Sequence, residues 1–95
     1  MKYYVYILEC SDKTYYTGIT NNLSRRMDEH HSAKFFNSYT SRRLPVSLVY
    51  YATFSDVEIA IQTEKQIKKW SKAKKEALIQ NTIDELPNLA KKKFK

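Results

Sequence analysis

Residues 3–10, YYVYILEC, carry aromatic or aliphatic side chains at nearly every position. That composition is strand-like, and apolar residues on both faces predict a strand inside a sheet covered on both sides. The polar SDK that follows supplies turn chemistry, and TYYTGI resumes strand character, so residues 3–19 are predicted to form a β-hairpin. Thr20, Asn21 and Asn22 are candidate helix caps. Leu23 and Met27, four apart in LSRRMDEHHSAKFF, share one helical stripe and predict a helix to about residue 33. NSYTSRRLP is a polar, basic loop, and VSLVYYATF, residues 46–54, is a third strand. Ser55 or Asp56 caps the helix of VEIAIQTEKQIKKW, and Ser71 caps a further helix in SKAKKEALIQ, where Glu76 is placed to pair locally.

The predicted order is β-β-α-β-α-α. Hairpin-linked strands with segregated helices make an α+β fold: a small, mostly antiparallel three-stranded sheet flanked by helices. Ninety-five residues suffice for one modest core. The expected division is one domain over residues 1–82 and a basic tail over 83–95.

Charge narrows the partners. Seventeen Lys and Arg against ten Asp and Glu leave a formal +7, which suits a polyanion, most often nucleic acid. The single cysteine, Cys10, has no internal disulfide partner, and a reducing, cytoplasmic setting is expected. Cys10 itself is read as a small residue ending a strand rather than a nucleophile. No stretch approaches the roughly 20 apolar residues of a membrane span, so no membrane partner is expected.

Three places carry candidate chemistry. At about 100° per residue, Val57, Ala60, Ile61 and Ile67 fall on one helical arc, and Glu64 lies in its middle. A carboxylate on a buried face needs a counter-charge: an internal salt bridge, or a role as metal ligand or acid/base group. Glu58 belongs to the solvated side. On the first helix, Arg26 and His30 stand one turn apart on one face, with Arg25 and Glu29 a separate pair. A guanidinium there is either surface charge or a bidentate phosphate ligand, and His30 either a structural imidazole or a proton shuttle. On the hairpin, Tyr4 and Tyr6 point to one face and Tyr3 to the other, while Tyr15 and Tyr16 oppose each other. Gly18, the chain's only glycine, signals either a close approach or a bend of the backbone.

These residues resemble the GIY-YIG endonuclease superfamily. The two name-giving triplets correspond to YVY, Tyr4-Val5-Tyr6, and YTG, Tyr16-Thr17-Gly18. Arg26 follows ten residues after Tyr16, His30 four later, and Glu64 lies on the following helix, where the family has its arginine, its His or Tyr, and its metal-binding glutamate. The likeness runs from residue 3 to about 80 and is greatest to small, free-standing members of bacterial type. The first glycine of the name motif is Tyr4 here, and the central Ile of the second triplet is Thr17. Several branches carry an Asn about a dozen residues after the glutamate, where this chain has Lys75 and Glu76.

The resemblance implies a divalent-metal-dependent endonuclease that hydrolyses phosphodiester bonds, DNA before RNA, structure-specific and linked to repair or recombination. One Mg²⁺ or Mn²⁺ ion would be held by Glu64, since such ions keep several waters and need few carboxylates. Tyr6, Tyr16, Arg26, His30 and Glu64 form the implied catalytic set, with Gly18 letting the backbone turn into the first helix. Arg26 would stabilise phosphoryl charge. Tyr6 is favoured as base and Tyr16 as orienter, although reaching a phenolate at pH 7 costs about 4 kcal/mol; His30 is the alternative base. Arg42, Arg43, Lys65, Lys68, Lys69, Lys72, Lys74 and Lys75 are expected to meet the substrate's phosphates, and Trp70 to pack with Ile59 against the last helix. No element suits reading bases in a groove, so specificity is expected from substrate shape or a partner protein. The competing reading is a catalytically weak nucleic-acid-binding module of the same fold.

Overall fold

The computed structural model describes residues 1–31 and 42–82. The elements run β1 (Tyr3–Glu9), β2 (Tyr15–Thr20), α1 (Leu23–His31), β3 (Ser47–Phe54), α2 (Val57–Lys68) and α3 (Lys72–Thr82). The three strands form one sheet in the order β2-β1-β3, antiparallel throughout. The α+β order predicted from the sequence is therefore the order observed.

β1 is central because its neighbours in sequence and in space can cover both of its faces. Val5 and Ile7 pack on one side against Ala60, Ile67 and Ile79 of α2 and α3. Tyr6 and Leu8 pack on the other with Cys10, Val46, and the α1 residues Leu23 and Met27. Val5, Tyr6, Ile7 and Leu8 are each at most 1% exposed, which accounts for a strand apolar on both faces. The ladder register sets Tyr6 between Gly18 on β2 and Tyr51 on β3. Tyr15 and Tyr16 join opposite cores, as their alternation requires.

The hairpin turn is closed without glycine. Lys13 adopts φ 69°, Cys10 and Thr14 pair across the turn, and Asp12 Oδ1 accepts from both the backbone N–H and the hydroxyl of Thr14. Each helix has a side-chain cap. Asn22 Oδ1 accepts from the N–H of Arg25, Asp56 Oδ1 from that of Glu58, and Ser71 Oγ from that of Lys74.

Two packing expectations change. The buried stripe of α2 is Ala60, Glu64 and Ile67, whereas Val57 and Ile61 sit on its flanks, 38% and 39% exposed. Ile59 is more exposed still, and Trp70 instead packs onto the Val5–Ile7–Ile67 core, its outer face covered by the Lys74 ammonium 4.3 Å from the ring centroid. The residues after His31 predicted to extend the first helix, most of the predicted basic loop and residues 83–95 lie outside the described residues.

Candidate active site

Tyr6 and Tyr16 reach one face of the sheet from adjacent strands, and α1 lays His30 against both. The Tyr6 hydroxyl lies 3.0 Å from His30 Nε2, a buried hydrogen bond between residues 24 positions apart. In the tautomer protonated at Nδ1, the phenol donates and the imidazole accepts. The His30 ring meets the Tyr6 and Tyr16 rings edge-on, at centroid distances of 5.9 and 5.3 Å. The two tyrosine rings are 6.3 Å apart.

Gly18 makes this arrangement sterically possible. A Cβ at that position would stand 2.5 Å from Cζ of Tyr6 and closer still to its hydroxyl. Its φ is not positive, and it lies inside β2 opposite Tyr6. The expectation of a backbone turn into α1 is thus corrected: the glycine serves a close approach, because the Tyr6 ring occupies the space of a side chain.

Arg26 and His30 share the α1 face turned to the tyrosines. The Arg26 charge acts on both Tyr6 and His30. Arg26 Nε is also 3.7 Å from Glu29 Oε1, while Arg25 Nε is 3.9 Å from Glu29 Oε2. Glu29 therefore bridges two arginines where the sequence reading paired it with one. The three-residue spacing from Arg26 is the signal that identifies it.

Electrostatics keep this cluster neutral at its centre. Burial pushes the Tyr6 hydroxyl far above the usual phenol range, and nearby Tyr16, Glu64 and Glu29 reinforce the rise against the Arg26 charge. Burial pulls the His30 pKa below its ordinary value, and Arg26 and His31 pull the same way against Glu29. A neutral phenol therefore faces a neutral imidazole near pH 7.

Glu64 approaches from α2. It is 8% exposed and its charge is felt at Tyr6. Its Oε2 lies 2.8 Å from Nζ of Lys68 on the next helical turn. The salt bridge left open by the sequence thus exists, within α2 itself. Among the described residues no three His, Cys, Asp or Glu side chains gather as a ligand set. A single inward carboxylate, with phenol oxygens nearby and a lysine as its counter-ion, nevertheless suits a hard ion that retains its waters. The residues fit a divalent cation.

The basic residues divide. Lys75 is half-buried on α3; loss of solvation and the neighbouring Lys68 charge both lower its pKa. Lys72 Nζ stands 5.9 Å from the Tyr15 ring centroid, and the Tyr15 hydroxyl donates to Glu76. Lys65 and Lys69 are exposed. Arg43 is committed elsewhere in part: its Nε donates to Asp12 Oδ2 at 2.9 Å, tying the loop to the hairpin turn, beside an exposed Arg42. Cys10 is buried in the α1-side core, and burial raises its thiol pKa, which fits a packing role. No helix among the described residues is long and apolar enough to cross a membrane.

The family model for the GIY-YIG catalytic domain, a nuclease family, matches residues 2–77. A UPF0213 protein of Syntrophus aciditrophicus is 46% identical over 85 residues, covering 90% of this chain and 98% of that protein. A UPF0213 protein of Natronomonas pharaonis is 46% identical over 77 residues, covering 81% of this chain and 89% of its own length. The solution NMR structure of the UPF0213 protein BH0048 from Bacillus halodurans covers 84% of both chains at 42% identity, with a TM-score of 0.56. With that family model matched over residues 2–77 and relatives 46% identical over most of both lengths, the chain belongs to the GIY-YIG catalytic-domain family.

Proposed function

We propose that the protein is a divalent-metal-dependent endonuclease that hydrolyses DNA phosphodiester bonds, selecting its substrates by structure in repair or recombination. The observation that carries this reading is the buried Tyr6–His30 hydrogen bond, with Tyr16, Arg26 and Glu64 around it. A phenol as far from ionising as Tyr6 is a poor base alone, but its partner supplies the missing acceptor. Tyr6 takes a proton from the attacking water as its own proton passes to His30 Nε2, so no free phenolate forms. Tyr16 orients the water or the phosphate from the adjacent strand. Arg26 stabilises charge developing on the phosphoryl oxygens. Glu64 would hold the ion, which when bound supplies Lewis-acid stabilisation of the phosphate and the leaving oxygen. Lys65, Lys68, Lys69, Lys72 and Lys75, with Arg42 and Arg43, contact flanking phosphates. A partner protein supplies any specificity beyond substrate shape.

The test is incubation with supercoiled plasmid, flap and junction DNA in Mg²⁺ and Mn²⁺, beside Glu64→Ala and Tyr6→Phe. Metal-dependent nicking that both substitutions abolish supports the assignment. Salt-sensitive binding without cleavage by the wild type across that panel would reduce the protein to a binding module.

A further inference from the structure

Lys68 is the counter-ion of Glu64. Its Nζ is 2.8 Å from Glu64 Oε2, and the two side chains differ sharply in exposure, 52% for Lys68 and 11% for Glu64. Glu64 sits on the stripe of α2 otherwise made by Ala60 and Ile67, which pack against β1. A carboxylate on that stripe cannot be left without a cation, because a buried charge stripped of its partner is strongly destabilising. The lysine answers this need from outside: its half-exposed chain leaves water beside it and rotatable bonds to swing on. Lys75 already places a second ammonium close to Lys68, so the region gains repulsion from every further positive charge. An ammonium and a divalent ion are therefore alternatives at this carboxylate.

We infer that Lys68 is a stand-in counter-ion for Glu64, seated in the metal-free protein and displaced when a divalent cation binds. The inference rests on the assignment of Glu64 as the metal ligand. Its consequence is a competition. The fraction of molecules with Glu64 released from Lys68 sets the apparent metal affinity, and the lysine contact weakens that affinity in proportion. Removing the ammonium should tighten metal binding about two- to fivefold, the range expected for losing a partly exposed ion pair.

The experiment is titration of Mn²⁺ alone into the whole protein at pH 7.5 without nucleic acid, free Mn²⁺ being read from its EPR amplitude. Wild type is compared with Lys68→Met, Lys68→Gln and Glu64→Gln, each checked for native circular dichroism. Tighter Mn²⁺ binding by the Lys68 variants, with binding lost in Glu64→Gln, is the expected result. Binding detected only once Lys68 is replaced supports the same conclusion. Lys68 variants that bind Mn²⁺ no better than wild type, while Glu64→Gln still abolishes it, overturn the stand-in role and leave Glu64 as the ligand. Absence of Glu64-dependent Mn²⁺ binding in every variant overturns the metal assignment and the stand-in role with it.

Discussion

The ring of Tyr6 lies over Gly18 so closely that a Cβ there would collide with it. The two are register partners on β1 and β2, and an added Cβ would press into the phenol carbon and its oxygen. The contact aims the hydroxyl at His30 Nε2 across the sheet face. One residue chosen for having no side chain thus positions the most buried tyrosine of the site.

Gly18→Ala is expected to lower stability by about 1–3 kcal/mol, the usual range for overpacking a filled site. It should also reduce nicking, because the ring must tilt away from His30. The penalty should shrink when Tyr6 is already Ala, since the obstructed volume is then empty. A double-mutant cycle by urea unfolding measures this coupling. An unchanged penalty in the Tyr6→Ala background would show that the contact is not its cause.

Tyr6→Phe keeps the ring and deletes one hydroxyl. The His30 nitrogen loses its partner inside the core, at a cost of about 1–3 kcal/mol. Cleavage should fall by about 100-fold or more, the range for removing a group that carries a proton in the transition state. Binding of DNA should be almost unchanged. Parallel measurements of nicking rate and affinity separate these effects, and an equal loss in both would assign Tyr6 to substrate binding.

Much of this site was legible from spacing. Alternation set Tyr15 and Tyr16 on opposite faces, the i,i+4 rule joined Arg26 with His30, and a lone carboxylate on an apolar stripe picked out Glu64, whereas Tyr6 and Tyr16 were joined by the family resemblance and not by spacing. What spacing could not supply was depth. Val57 and Ile61 share the arc of Ala60 and Ile67, yet only the latter two meet the sheet, because a wide helix has flanks as well as a centre. Nor could composition decide why Gly18 is glycine. Bend and close approach make the same demand in sequence, and only the register opposite Tyr6 separates them. Arg43 shows a third limit: its partner Asp12 is 31 positions away, and such long-range ion pairs leave no local trace.

His30 should make both stability and activity pH-dependent. Its folded pKa lies below the ordinary value of about 6.5, chiefly through burial, so between the two values the unfolded chain binds more protons. The sign follows: this contribution is complete above about pH 6.5 and is lost as pH falls through the folded pKa, at no more than about 1.4 kcal/mol per pH unit. Urea unfolding between pH 7.5 and 5 should show the loss in wild type and a flatter profile in His30→Gln. The nicking rate should have an acid limb as pH falls through the folded pKa, below the ordinary value, where the protonated imidazole can no longer accept the Tyr6 proton.

The lysines of α3 offer a prediction about substrate contact that does not depend on catalysis. Lys72 and Lys75 lie one turn apart on α3, Lys75 half-buried beside Lys68, and Lys68 is paired with Glu64 of the site. A phosphate entering there relieves the repulsion between Lys68 and Lys75. Lys74, by contrast, is spent on the Trp70 ring on another side of the helix. Each phosphate contact adds roughly 0.9 to the slope of log affinity against log salt. Lys72→Gln and Lys75→Gln should therefore each reduce that slope by about 1, and Lys74→Gln should leave it close to the wild-type value. Fluorescence anisotropy of a labelled duplex, from low to moderate salt, measures all three slopes. A larger decrease for Lys74 than for Lys75 would move the DNA path off the Lys68–Lys75 face and onto the side of α3 where Lys74 lies over Trp70.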